Sequence, residues 1–239
     1  MTSTVAILGS GKLGTVLARL AVAAGHRVLV AGSKEPDAIR LILSVVAPGA
    51  TPAWAVDAVR DADVVVLALP LGRLATVPVQ ALEGKTVIDA MNYWWEVDGV
   101  REDLSDLRVS TSERVQQQLR GSAVVKAFNH MGYHDLDEGP RPADAPDRKA
   151  IAVAGDDSRA VAVVDELVDS MGFDLVPAGS LADSISLQPH AEAFGADVPA
   201  AELTRMLARF PSTQRGRDIA EARAGLPVGA TPSRSSGVI

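Results

Sequence analysis

The residues with the clearest chemical content are Gly9-Ser10-Gly11-Lys12-Leu13-Gly14, a G-x-G-x-x-G run. They follow the apolar stretch 5–8 directly. They open a segment with apolar residues at Leu13, Val16, Leu17, Leu20 and Ala24, a helical spacing. In that setting each glycine has a use. Gly9 permits a tight turn, Gly11 lets the backbone approach a pyrophosphate, and Gly14 lets the helix pack closely on the strand. The unpaired N–H groups at the helix start then face phosphate. The expected chemistry is dinucleotide binding. Lys12 either reaches a phosphate or is solvated. The run is not a P-loop, because it lacks that motif's spacing and its Gly-Lys-Ser/Thr ending.

The next strand ends in "VLVAGSKEP". A carboxylate there would accept hydrogen bonds from the adenine ribose of NAD and repel a 2′-phosphate. Ser33 and Lys34 stand in its place and supply a hydroxyl and a cation, which suit the 2′-phosphate of NADP. Arg40 lies one to two turns further on and would assist. Glu35 pulls the other way: pointed at the ribose, it would favour NAD. The alternative is that Ser33 caps the next helix and Lys34 is solvated.

A second cluster lies further along. The chain has three Trp, two Tyr and four Phe. Five of these, Tyr93, Trp94, Trp95, Phe128 and Tyr133, follow two neighbouring apolar strands. That is the edge where open α/β sheets bind ligands. They form either a wall for a planar substrate or packing at the sheet edge. Asn92 and Asn129 end the same strands and would orient a carboxamide or cap a turn. His130 and His134 are four residues apart. A metal site is not expected, because the nearby carboxylates sit in a loop-like stretch and no second ligand cluster accompanies them. His130 is instead the candidate acid should the substrate be a carbonyl or imine. No Ser-His-Asp set or carboxylate pair stands out.

These residues need a scaffold. Apolar strands are read at 5–8, 26–31, 51–55, 64–69, 86–90 and 123–128, with helices at 12–24, 36–46 and 112–119 between them. A further strand covers "KAIAVAGDD", a helix 158–171 capped by Asp156 or Asp157, and a strand 173–177. Continuous apolar strands alternating with helices imply a doubly wound, mostly parallel α/β sheet of Rossmann type. Residues 135–148, rich in Pro, Asp and Gly, read as a surface loop. From about Ala182 the helical runs are short and broken by Pro189, Pro199, Pro211 and Pro227. The division expected is a dinucleotide-binding domain over 1–180 and a small helical segment over 181–239 ending in a flexible tail.

Composition narrows the partners. The 239 residues carry a net charge of −7, which argues against nucleic acid or an anionic membrane. There is no cysteine, hence no thiol chemistry. No run approaches a membrane span, and the first apolar run leads straight into glycines rather than a signal peptide. A cytoplasmic protein acting on a small-molecule redox substrate is expected.

The stretches "VAILGSGKLGTVLARLAVAAGHRVLVAGS", "DADVVVLALP", "VIDAMN" and "VVKAFN" match in order and spacing a known pattern. Over residues 5–129 the chain resembles the coenzyme F-420-dependent NADP reductases, and more loosely through "IAVAGDD" and "GFDLVPAGSLADS". The resemblance implies a Rossmann fold with a short helical C-terminal part, a homodimer, and hydride transfer between NADP and a 5-deazaflavin. It implies that Ser10, Gly11, Lys12 and Leu13 hold the pyrophosphate and that Ser33 and Lys34 hold the 2′-phosphate. Leu69 and Pro70 would line the cofactor. Ala90, Met91 and Asn92 would sit near the nicotinamide, with Ala127, Phe128 and Asn129 beyond. Pyrroline-carboxylate reductases share the N-terminal motifs, so the glycine loop identifies the superfamily and not the substrate. "MNYWWEVDG" is bulkier than the short proline-containing loop of the family, and "FNHMGYHDLDEGPRP" is distinctive. Two alternatives therefore stand beside the deazaflavin: an NADPH-dependent reductase of a small carbonyl or imine, and a non-catalytic NADPH-binding sensor.

Overall fold

The structure, a computed structural model, describes residues 2–225. Pro227 and the polar stretch from residue 228 onward lie outside the described residues. Eight strands form one sheet in the order β3-β2-β1-β4-β5-β6-β7-β8. They are β1 (Thr4–Leu8), β2 (Arg27–Ala31), β3 (Thr51–Pro52), β4 (Val64–Leu67), β5 (Thr86–Asp89), β6 (Ala123–Lys126), β7 (Ala150–Gly155) and β8 (Asp174–Pro177). All neighbours pair parallel except β6 and β7. The doubly wound, mostly parallel α/β class read from the sequence is the observed one.

The central strands are apolar on both faces because helices cover both faces. Val5, Ile7, Val28, Val30, Val64 and Val66 pack into one core cluster with α1 (Lys12–Ala23), α2 (Asp37–Val46) and, beyond β6, α9 (Ser158–Ser170). Ala6, Leu8, Leu29, Val65, Leu67 and Val87 pack into a second with α3 (Ala55–Asp61), α4 (Val79–Leu82) and α7 (Thr111–Gln118). Each buried aliphatic chain contributes roughly 1.5–3 kcal/mol.

Two expectations about local structure change. The strand expected over 51–55 is only Thr51–Pro52, and α3 follows at once. Trp54 precedes that helix and offers no side-chain cap, so burial of Ala58 and Val59 must set it. The stretch 135–148 is not all loop. Its first residues belong to α8 (Tyr133–Glu138), held by Leu136 in the core. Elsewhere the start signals are strong. Asp157 accepts from the Arg159 and Ala160 amides at the head of α9, while Asp156 accepts instead from Leu181 N–H. Ser110 and Glu113 form a reciprocal capping box on α7.

The remaining helices are short or peripheral. They are α5 (Trp95–Asp98), α6 (Glu102–Ser105), α10 (Ala200–Arg209) and α11 (Gln214–Arg223). Pro199 precedes α10, and Pro211 sits in the turn between α10 and α11. Leu187, Ala193, Ala196 and Leu203 from this region pack on Ala150, Ala152 and Val176 of β7 and β8. Among the described residues no helix is long and apolar enough to cross a membrane.

Candidate cofactor and substrate sites

The strand order reverses between β1 and β4, the place where a doubly wound sheet opens a crevice at its carboxyl edge. A cavity of about 520 Å³ lies there. It is lined by Gly9, Ser10 and Gly11 after β1, by Gly32 and Ser33 after β2, and by Leu69 and Pro70 after β4. The glycines are required by their surroundings. Gly9 has φ +130°, and a Cβ there would lie 2.1 Å from the Ala68 carbonyl oxygen at the end of β4. A Cβ on Gly14 would lie 2.0 Å from the Gly9 carbonyl oxygen. At Gly11 a Cβ would meet no protein atom within 4 Å, so the backbone there is open to the cavity it lines. Gly11 caps α1 without any side-chain bond to the first-turn amides. An open glycine backbone before uncapped amides fits a pyrophosphate.

The other residues expected in this site divide. Ser33 lines the cavity, whereas Lys34 and Glu35 are exposed and do not. Arg40 is paired with Asp37 on the surface of α2. A different cation lines the cavity: Arg73, in the turn that follows Pro70. Its side chain makes no ion pair among the described residues. Sequence reading missed it, although it stands only three residues after Pro70. Asp98 was missed as well. It accepts from Gly72 N–H at 2.8 Å and from Trp94 N–H at 3.1 Å, so it ties α5 to the cavity's rim. Lys12 turns the opposite way, its Nζ 3.1 Å from the Tyr133 hydroxyl and 5.2 Å from that ring's centroid.

The carboxyl ends of β5 and β6 are built from buried polar side chains. Asp89 and Lys126 are fully buried and paired at 3.1 Å. Asp89 also accepts from Ser112 Oγ at 2.8 Å and from Met91 N–H at 3.0 Å, and Lys126 Nζ donates to the Met91 carbonyl. Burial pushes the Lys126 amine below the usual lysine range, and the Asp89 carboxylate opposes that shift. The sequence reading did not single out this network. Its one signal was a charged residue ending each of two mostly apolar strands.

Beyond it, Asn92 Nδ2 donates to the Asn129 carbonyl at 2.8 Å, and Asn129 Nδ2 donates to Asn92 Oδ1 at 3.1 Å and to the Leu187 carbonyl at 2.8 Å. The two asparagines thus latch the β5 and β6 ends to each other and to the C-terminal region. Ala90, Met91 and Phe128 are buried and line neither cavity described here. Phe128 has φ +62°, a left-handed conformation that turns the chain sharply after β6.

His130 requires a correction. It is 1 % exposed, and its Nε2 accepts the Ala152 amide of β7 at 3.0 Å. Burial pushes its pKa down to about 4. A neutral ring committed to the backbone beneath the surface is no proton donor to substrate, so the acid candidate becomes a structural residue. His134 lies on α8 beside Tyr133. Among the described residues no group of three or more His, Asp or Glu is arranged to hold a metal.

A second cavity, of about 420 Å³, is walled by Tyr93, Trp94 and Trp95 together with residues of the C-terminal region, including Gln188, His190 and Arg215. It has no lining residue in common with the first. Residues 93–98 stand between the two: Tyr93, Trp94 and Trp95 face the second, Val97 and Asp98 the first. Tyr133, expected in the same pocket as the tryptophans, is not there; Lys12 holds it near the glycine loop.

Comparison with known proteins agrees with this geometry. Residues 4–93 match the model of the family described as NADP oxidoreductase, coenzyme F420-dependent. The Escherichia coli K12 protein YjhV is 40% identical over 92 residues, 38% of this chain and 62% of that protein, so the chain spans about three-fifths of that relative's length. A hypothetical protein from Sinorhizobium meliloti shares 30% identity, with 83% of this chain and 96% of that one covered and a TM-score of 0.73. An Arthrobacter protein assigned as an F420-dependent NADP reductase shares 26% identity over 76% of this chain and 87% of that one, with a TM-score of 0.64.

Proposed function

The chain belongs to the family of coenzyme F420-dependent NADP oxidoreductases, and from that premise we propose that it transfers hydride between NADP(H) and a deazaflavin. The observation that carries the dinucleotide half is the cavity at the β1–β4 crevice, where open glycine backbone, Ser33 and Arg73 converge. The amides of Ser10, Gly11, Lys12 and Leu13 hold the pyrophosphate. Ser33 and Arg73 hold the 2′-phosphate, with Lys34 adding charge from outside the cavity. Leu69 and Pro70 line the cofactor, and Ala90, Met91, Asn92, Phe128 and Asn129, which line neither cavity, support the strand ends beside the nicotinamide. When bound, NADPH supplies a hydride from its nicotinamide ring, and the deazaflavin accepts it.

The protein's task is then positioning, because bringing two ring carbons together supplies most of the acceleration available. Tyr93, Trp94 and Trp95, which wall the second cavity, offer a planar acceptor an apolar face. The second reading, reduction of a carbonyl or imine, would need a proton donor at the substrate other than the buried His130. The homodimer, the cytoplasmic location and the division near residue 180 belong to the same proposal.

Absorbance of NADPH and of the deazaflavin, followed in both directions, tests it. Coupled loss of one and gain of the other is expected. NADPH binding without change in either spectrum would overturn the deazaflavin assignment, and turnover of a small imine without deazaflavin would replace it.

A further inference from the structure

The second cavity is lined by a cation that enters no close ion pair among the described residues. Arg215, in the first turn of α11, lines it. Its Nε is buried with no hydrogen-bond partner among the described residues, and its guanidinium enters no ion pair there. The acids nearby are occupied or peripheral. Asp106 is bonded to Arg108 at 2.9 Å and lies 3.7 Å from Arg114, and the Arg108 hydrogen bonds hold its carboxyl down to about 2. Asp218 accepts from Gln214. Glu96 is exposed on the rim. Partial burial also pushes the Arg215 pKa below the usual arginine value, with Asp218 opposing.

The same cavity carries a large exposed apolar surface. Trp94 is fixed edge-on against Phe194, with ring centroids 5.7 Å apart, yet 42% of it stays exposed. Trp95 is 61% exposed. His190, on the same wall, has φ +73°, a strained conformation for a residue with a side chain. Strain, an orphaned guanidinium and open indole surface coincide in one cavity of ligand size.

We propose that this cavity is a binding site for a planar conjugated carboxylate, with the ring system against Trp94 and Trp95 and the carboxylate on Arg215. A carboxylate brings the paired acceptors that a guanidinium fork matches, and it gives Arg215 the direct ion pair it lacks among the described residues. The ring brings apolar surface to indoles that water now covers. Trp94 and Trp95 are also the face that the proposed function gives to the planar acceptor, so the proposal rests on that reading and deepens it by naming the charge such an acceptor carries.

Calorimetric titration of the full chain with naphthoate and with its neutral amide tests the site. Naphthoate is expected to bind at least about tenfold more tightly than naphthamide. Arg215→Gln is expected to erase that difference while leaving NADPH affinity unchanged. Equal affinity for the two probes, no binding of naphthoate, or undiminished naphthoate binding by Arg215→Gln would each overturn the proposal. The two-probe comparison on the unaltered chain decides the matter even if the variant fails to fold. A chain that binds naphthoate but not NADPH would sink the oxidoreductase reading alone.

Discussion

The two halves of the sheet's carboxyl edge are made of different materials. At β1, β2 and β4 the candidate site is backbone: glycines whose Cβ atoms would collide with neighbouring carbonyls, uncapped amides, and polar side chains standing in solvent. At β5 and β6 it is buried side chains: Asp89 with Lys126 and Ser112, Asn92 with Asn129, and His130 under β7. The difference separates two kinds of consequence. Changes to the polar side chains of the first half should alter ligand affinity while the fold persists, whereas a side chain at Gly9 or Gly14 would disturb both. Changes in the second should alter stability first, because charges and donors inside the protein have no water to fall back on.

The largest expected effect follows from breaking the buried pair. Lys126→Met leaves the Asp89 carboxylate in the interior with only Ser112 Oγ and the Met91 amide as donors. Loss of one partner from such a pair costs about 3–5 kcal/mol. Urea unfolding should show it. Adding Asp89→Asn should recover most of the loss, because the stranded charge is then gone. A single variant as stable as the unaltered chain would show that the pair carries no weight.

The same contrast accounts for what the sequence made legible. The glycine loop could be read because its function depends on small residues at fixed spacing next to an apolar strand, all within a few positions. Ser33 could be read for the same reason. Asp89 and Lys126 are 37 positions apart, and only the parallel register of β5 and β6 places them side by side. Arg73 and Arg215 are ordinary surface-type residues until the chain folds them over a cavity. Helix α3 escaped because it has no cap, and α8 because its composition resembles a turn while only Leu136 of its residues is fully buried. Short-range chemistry is written locally, and partners brought together by topology are not.

A smaller effect separates the halves by pH. His130 has its pKa depressed from 6.5 to about 4 by burial. The unfolded chain therefore takes up the proton first as pH falls, and folding stability is lost across that window. The contribution is complete above pH 6.5 and gone near pH 4, and it amounts to about 3 kcal/mol. His130→Gln retains an acceptor for the Ala152 amide without the titration. Denaturation midpoints of the two proteins, compared from neutral pH downward, should converge by that amount. Parallel curves would mean that the ring is protonated in place.

The smallest effect concerns affinity alone and settles which cation reads the 2′-phosphate. Arg73 lines the same cavity as Ser33, whereas Lys34 stands outside it in solvent. A lining guanidinium can bond the phosphate directly, so Arg73→Gln should weaken NADPH about tenfold, about 1.4 kcal/mol, with NADH unaffected. A solvated ammonium acts only through a screened field. Lys34→Gln should thus cost about threefold at low salt and almost nothing at about 1 M salt, where the Debye length falls to about 3 Å. Neither change should move the unfolding midpoint, which is what distinguishes this half of the edge from the other. If Lys34→Gln cost more than Arg73→Gln and kept its effect in high salt, the lysine side chain would have to swing into the cavity on binding. The clamp would then be the Ser33–Lys34 pair at the end of β2, as the sequence first suggested, with Arg73 reduced to lining.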